Sequence, residues 1–402
     1  MAQMTGLLTY QGIPVWRHAR ILRWVTQIVS GFLAVVLVAW FFLNIGGAIQ
    51  DRNIPYGFSF LDREYQTPIG HHFLPYESSD TFFYALGVAA TNTVVVSIIG
   101  VILATALGIV IGVARLSGNW IVSKLALAYV EFFRNVPLLV QLFFWFYIFL
   151  ALPPERDGFV FFDRLYVNNA GISTPWPVPS DLSMGLVWLG LVLIGVIAGV
   201  FVHRMLLKRE TMTGKASYPL VSGVTTVVGV GAVTWIVLMV AGGESPFVIS
   251  EPVPREGPFG RVAGGFTAPA GLLALLIGLV MYTASFIAEI VRAGITSVGK
   301  GQTEAARALG LSNMAALRHD TFPQALRVII PPLISQFLNL TKNSSLAGAI
   351  GYSDLTNVAK TMTQTAPAVS IFILIMLSYL AMSLAYSLAG NLYNRYVRIT
   401  GA

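Results

Sequence analysis

Cysteine is absent from the chain. Disulfides, thiolate metal ligands and cysteine nucleophiles are therefore excluded, and nothing follows about a redox compartment. Charge is scarce as well: 11% of the 402 residues are charged, 55% are hydrophobic, and the mean hydropathy is +0.72. So apolar a chain cannot cover a core with polar side chains, which excludes an ordinary water-soluble fold. Histidine occurs five times without metal-ligand spacing. His71 and His72 are adjacent, and since sequence neighbours do not share a helical face, they read as an exposed loop pair. The net charge of +7 is spread between apolar runs, so it reports membrane topology and not a nucleic acid partner.

What the chain has in abundance is apolar runs of the roughly 20 residues that cross a bilayer. Eight stand out, approximately Leu22–Ile49, Phe83–Val113, Leu125–Leu152, Met184–Val202, Leu220–Ala241, Ala268–Val291, Ile329–Ile350 and Val369–Leu392. The first follows Arg17, Arg20 and Arg23 as a signal peptide would. It is too long and lacks a small-residue cleavage site, so it is expected to remain a helix. Basic residues beside a span are retained in the cytoplasm. An inside start puts Arg115, Lys124, Arg204, Lys208, Arg209, Lys215, Arg292, Lys300, Arg307, Arg318, Arg327, Arg395 and Arg398 there with the first three arginines. Only Arg52, Arg63, Arg156, Arg164, Arg255, Arg261 and Lys360 fall outside, among most of the acidic residues. The expected fold is all-α: a polytopic bundle of about eight spans with both termini cytoplasmic.

Composition divides the chain into 1–80 (N-terminal cytoplasmic segment, first span and external loop), 81–152, 153–267 and 268–402. The stretches around Pro153–Asp181 and Gly242–Thr267 are rich in proline, glycine and acidic residues and bracket spans four and five. A hairpin crosses twice, so it inserts without inverting the later spans; 153–267 is read as an inserted peripheral element. Gly108 with Gly112, and Gly195 with Gly199, have the small-xxx-small spacing that lets helices approach, and read as generic packing.

Between spans six and seven lies the longest internal cytoplasmic segment, Arg292–Arg327. Thr303–Leu309 is a good helix former and Gly310 a natural stop, after which Ser312 or Asn313 caps a second helix expected to end near Pro323. A rigid helix–Gly–helix device with exposed charge and small residues suits docking into a groove on another protein. Gly294, Gly299 and Lys300 imitate a phosphate-binding loop. Gly301 sits where the Mg²⁺-binding hydroxyl belongs, and a membrane helix precedes the segment in place of a strand. No nucleotide or other cofactor is expected on this chain, so any ATP is bound by another subunit.

Glu304, Ala305, Ala306, Gly310 and Pro323 together resemble the EAA loop of importer-type ATP-binding-cassette permeases, E-A-A-x₃-G-x₉-I-x-L-P, with Asp320 and Phe322 where the pattern has Ile and Leu. EFFRNVPLLVQLFF (131–144) is similar to the F-R-G-T-P-L-L-V-Q run of the polar amino acid (histidine/glutamine-type) permeases, with Asn135 and Val136 replacing Gly-Thr. AEIVRAGI (288–295) and KNSSLAGAIG (342–351) look alike too. The resemblance covers roughly Thr81–Leu152 and Ala268–Arg398, which hold spans two, three, six, seven and eight, the five-helix core expected of the family. The extra spans resemble the larger general L-amino acid permeases. The resemblance implies a cytoplasmic ATPase dimer engaged through the EAA loop, a second, homologous permease making a heterodimer, and a periplasmic amino-acid-binding protein.

Ionisable residues at membrane depth cost about 2.5–3.5 kcal/mol each on insertion scales and seldom persist without a partner or cavity. Lys342 lies about 13 residues into span seven, roughly 20 Å deep. A dehydrated amino acid zwitterion needs a cation for its carboxylate and acceptors for its ammonium group. Lys342, Asn343, Ser344 and Ser345 are candidates, with Glu131, Arg134 and Gln141 from span three. Against this, Glu131 and Arg134 are three apart on one face and can satisfy each other, and Lys342 can pair with a neighbouring subunit. A secondary transporter is the first rival, since broken helices and midplane charges serve it equally, but comparable inverted halves are missing. A channel lacks a repeated pore motif. An intramembrane enzyme lacks a Ser/His, paired-Asp or HExxH arrangement.

Overall fold

A computed structural model describes residues 9–10, 13–14, 19–254, 262–310, 312–316 and 322–397. The helices among them are α1 (Ala19–Asp51), α2 (Phe82–Ala114), α3 (Trp120–Asn135), α4 (Leu138–Leu150), α5 (Leu182–Thr213), α6 (Pro219–Gly242), α7 (Ala270–Thr296), α8 (Lys300–Ala308), α9 (Asn313–Ala316), α10 (Phe322–Asn343), α11 (Leu355–Met362) and α12 (Ala368–Val397). Of the described residues, 71% are helical. Six helices, α1, α2, α5, α6, α7 and α12, are long and apolar enough to cross a membrane, and the bent pair α3–α4 makes a seventh if counted as one span.

Two of the eight expected spans differ from the sequence reading. Leu125–Leu152 is not straight: α3 and α4 meet at 103°. Pro137 offers no N–H and forces the preceding Val136 into an extended conformation (φ −87°, ψ 127°), so the helix stops at Asn135 and restarts at Leu138. Ile329–Ile350 is not one helix either. α10 carries Pro331 and Pro332, ends at Asn343, and passes into a 3₁₀-helix, Ser344–Ile350, closed by Gly351 at φ +71°.

The all-α expectation fails in the stretches around Pro153–Asp181 and Gly242–Thr267. After the short antiparallel pair β1 (Thr9–Tyr10) and β2 (Ile13–Pro14), these stretches form β3 (Phe159–Phe161), β4 (Leu165–Asn168), β5 (Gly171–Thr174), β6 (Trp176–Pro179), β7 (Phe247–Ser250), β8 (Val253–Pro254), β9 (Val262–Ala263) and β10 (Phe266–Pro269). An antiparallel sheet runs in the order β10-β5-β4-β3, with separate pairs β6–β7 and β8–β9. Alternating aromatic and β-branched residues such as Phe159-Val160-Phe161 and Phe247-Val248-Ile249 favour pleated pairing over open loops.

The chain divides into two compact units, Met1–Thr91 with Leu355–Ala385, and Asn92–Asp354 with Tyr386–Ala402. In the first, α1 exposes every side chain from Leu22 to Gly46, as a lipid-facing helix does. Residues 53–81 form more than a loop: Phe60 and Tyr65 set their rings edge-on to Phe82 at 5.4 and 5.0 Å, and Leu355 and Met362 of α11 complete the core. In the second, α3, α4 and α10 pack on α7. Both small-residue pairs are used inside the chain. A Cβ on Gly108 would stand 2.5 Å from Ile287 of α7, and one on Gly199 would stand 2.7 Å from the Gly223 carbonyl of α6.

Candidate functional site

The expected coupling residues occupy a helix, a left-handed glycine and a second short helix. On α8, Glu304 and Ala305 are exposed while Ala306 is buried, and on α9, which packs against α8, Ala316 is buried as well. Gly310 is exposed with φ +79°, a conformation that costs a residue bearing a Cβ about 1–2 kcal/mol. Ser312 caps α9, its Oγ accepting the Ala315 N–H at 3.3 Å. Leu311 and residues 317–321, Asp320 among them, lie outside the described residues. The second helix is expected to end near Pro323, which itself lies in the next helix. Pro323 is the second residue of α10, where a missing N–H costs nothing because first-turn donors have no partner within the helix.

Lys342 and Asn343 end α10. Lys342 is exposed and forms no ion pair among the described residues. The buried Ser344 hydroxyl donates to the Thr341 carbonyl and the Ser345 hydroxyl to the Lys342 carbonyl, each at 2.7 Å. Their protons thus finish the helix, leaving lone pairs as acceptors.

Glu131 and Arg134 are both exposed and do not satisfy each other. Glu131 Oε2 accepts from Asn135 Nδ2 at 3.3 Å, while the Arg134 guanidinium lies 4.9 Å from the centre of the Phe286 ring on α7. Gln141 is buried at 4% exposure, and its Nε2 donates to the Phe133 and Val136 carbonyls at 3.0 Å each. These are carbonyls freed where α3 stops, so the Gln141 amide donors are committed to the elbow. Gln141 Oε1 is buried without a partner among the described residues, beside a cavity of about 170 Å³ walled by Phe132, Phe133, Phe144 and Trp145. The 3₁₀-helix packs on α4, α7 and α10, so Lys342–Ser345 and the elbow belong to one group of helices.

Two features escaped the sequence reading. Arg115, just after α2, ion-pairs with Glu289 of α7, which also holds Arg292 Nη2 at 2.6 Å. The i, i+3 spacing within AEIVRAGI carried the second half of that signal. Asn92, fully buried in α2, donates its Nδ2 to the Ser353 carbonyl at 2.8 Å; the polar run Thr91-Asn92-Thr93 in an apolar helix could have marked it.

Residues 192–399 match the family described as binding-protein-dependent transport system inner membrane component. The chain is 38% identical to the general L-amino acid transport system permease protein AapQ of Rhizobium johnstonii, over 92% of this chain and 90% of that one. It is 36% identical to the putative amino-acid ABC transporter permease protein YhdX of Escherichia coli, over 97% and 98%. With the glutamate/glutamine/aspartate/asparagine transport system permease protein BztB of Rhodobacter capsulatus the identity is 37% over 93% of each. Matches of this length, on a chain with six apolar helices among the described residues, exclude neither unit from the likeness. The chain belongs to the binding-protein-dependent inner-membrane transport family and is a multi-pass permease subunit of an ATP-binding-cassette importer, whose ATP hydrolysis resides in a separate subunit.

Proposed function

We propose that this permease forms one side of an import path for polar L-amino acids, pairs with a second, related permease, and receives its driving force through Glu304–Pro323. The observation that carries the reading is the α8–Gly310–α9 device. Exposed Glu304 and Ala305 sit on a helix whose Ala306 is buried, joined to a capped second helix by a glycine at φ +79°. Such a unit transmits a push without folding up under it. The amino acids in the names of the Rhizobium and Rhodobacter relatives support the substrate class.

In this reading, α3–α4 and α10 with its 3₁₀-helix each count as a crossing, giving eight crossings with both termini cytoplasmic and a core of five. A periplasmic binding protein delivers the amino acid to the outer face, and closure of the ATPase dimer moves α8 and α9. Lys342 receives the carboxylate, the oxygens of Asn343, Ser344 and Ser345 accept from the ammonium group, and Glu131, Arg134 and Gln141 Oε1 contribute from the elbow. The test uses the assembled transporter in vesicles. Glu304→Lys with Gly310→Leu is expected to abolish ATP-dependent uptake and retention of the ATPase while leaving the permease folded. Undiminished uptake by that variant overturns the reading.

A further inference from the structure

The hairpin α5–α6 takes no part in the machinery above. Its helices touch where a Cβ on Gly223 would stand 3.0 Å from the Gly199 carbonyl. With Gly199 level with Gly223, the start of α6 at Pro219 is level with about residue 203 of α5. The end of α5, Arg204–Thr213, therefore overhangs α6 by roughly 15 Å at 1.5 Å per residue.

Beside the glycine contact runs a groove of about 250 Å³, walled by Val196 and Val200 of α5 and by Val224 and Val227 of α6. It opens outward, with Val200 48% and Val224 55% exposed. His203 and Leu220 close it at the overhang. The lining is apolar except for His203, whose Nδ1 is buried with no hydrogen-bond partner among the described residues.

Basic side chains stand at that end. Arg204 and Lys208 continue the i, i+4 row of Val196 and Val200, and both are exposed. The nearby Glu210 accepts from the Ser217 N–H at 3.4 Å, closing the return turn. α6 begins with Pro219 after Tyr218, without a side-chain cap, and adds the positive end of its dipole to the same place.

We propose that this is a binding site for an anionic glycerophospholipid of the surrounding membrane. One acyl chain lies in the valine-walled groove, and the phosphate is held by Arg204 and Lys208 at the start of α6. From residue 203 back to 196 the groove runs about 10 Å, within the roughly 15 Å of one hydrocarbon leaflet. A soluble anion has no use for the groove, and a zwitterionic lipid offsets its phosphate with a cation that Arg204 and Lys208 repel.

The test is native mass spectrometry of the full-length protein from mixed micelles of equimolar phosphatidylglycerol and phosphatidylcholine. Wild type is expected to retain phosphatidylglycerol preferentially. Arg204→Gln or Lys208→Gln lowers that preference about five-fold, and both together about 30-fold. Val200→Trp fills the groove without altering charge and is expected to strip the retained lipid. Lys124→Gln, at an exposed basic residue of α3, leaves retention unchanged. Equal retention of the two lipids by wild type overturns the proposal. So does full retention by the Val200 variant, or a loss that Lys124→Gln reproduces. Each variant is first required to melt as wild type does, and the single substitutions carry the test if the double one does not fold.

Discussion

Gln141 Nε2 donates to the Val136 carbonyl at 3.0 Å, so one side chain of α4 closes the end of α3 across the elbow. The same nitrogen reaches the Phe133 carbonyl, also at 3.0 Å. Gln141→Leu leaves both carbonyls without these donors in a site where water is scarce, at a cost of at least about 1–3 kcal/mol. The expected outcome is a lowered melting temperature of the purified permease. Gln141→Glu, similar in shape but lacking the two donors when ionised, is expected to fall as far. Melting at the wild-type temperature would show that the elbow holds without this residue.

Glu289 stands between Arg115 and Arg292, and the three contributions are unequal. Removing the carboxylate by Glu289→Gln leaves two cations close together with side chains 15% and 33% exposed. Removing Arg115 leaves Glu289 still held by Arg292 at 2.6 Å. Glu289→Gln is therefore expected to destabilise by about 1–2 kcal/mol, below the range for fully buried pairs, and Arg115→Met by less. Denaturation midpoints of the two variants check the order, and the reverse order refutes it.

The elements legible in the sequence were those set by long apolar runs and by local signals. Composition alone gave the membrane class, and Ser312 and Gly310 marked a cap and a stop that the structure places as expected. The elbow is half legible, because Pro137 stands inside the apolar run Leu125–Leu152 without the N–H a continuous helix needs, whereas the 103° turn depends on Gln141 reaching back and on packing against α7. The strands were missed because proline- and glycine-rich composition hid pairs such as Val167 with Ile172, brought together by Asn168 accepting the Ala170 and Gly171 N–H groups. The Arg115–Glu289 pair joins residues 174 apart, a separation that no spacing rule reaches.

Two glycines of the proposed coupling segment should respond oppositely to alanine. Gly301 is exposed within α8, and a Cβ placed on it would meet nothing within 4 Å, so Gly301→Ala is expected to stabilise the helix by about 0.5–1 kcal/mol. Gly310→Ala forces a Cβ into φ +79° and is expected to cost about 1–2 kcal/mol. Hydrogen exchange over α8 and α9 reads the difference directly. Equal protection in the two variants would mean that the left-handed turn is not held.

Acid is expected to loosen the segment between α1 and α2. Burial, reinforced by the neighbouring His72 charge, pulls the His71 imidazole from its ordinary 6.5 down to about 4. The folded state therefore binds fewer protons than the unfolded state between those values. The contribution is complete above about pH 6.5 and is lost as pH falls toward 4. Hydrogen exchange of residues 59–82, corrected for intrinsic rates, should show protection falling between pH 7 and pH 5. His71→Leu should remove that dependence, and a variant that keeps it would place the titration elsewhere.

Lys342 presents the sharpest choice. It is exposed and lacks an ion pair among the described residues, and an unpaired ammonium at membrane depth costs about 2.5–3.5 kcal/mol. In the transporter proposed above, its counter-charge is supplied either by the transported carboxylate or by the second permease. Lys342→Met separates the two in the assembled transporter. If the carboxylate is the partner, loss of a charge-assisted hydrogen bond of about 1.5–3 kcal/mol raises the KM for uptake roughly ten- to hundred-fold, with assembly and melting temperature intact. Lys342→Arg then restores part of the loss. If the neighbouring subunit is the partner, the Met variant assembles poorly and the transporter that does form keeps its KM. Import with unchanged KM by a fully assembled Lys342→Met transporter removes this lysine from both roles.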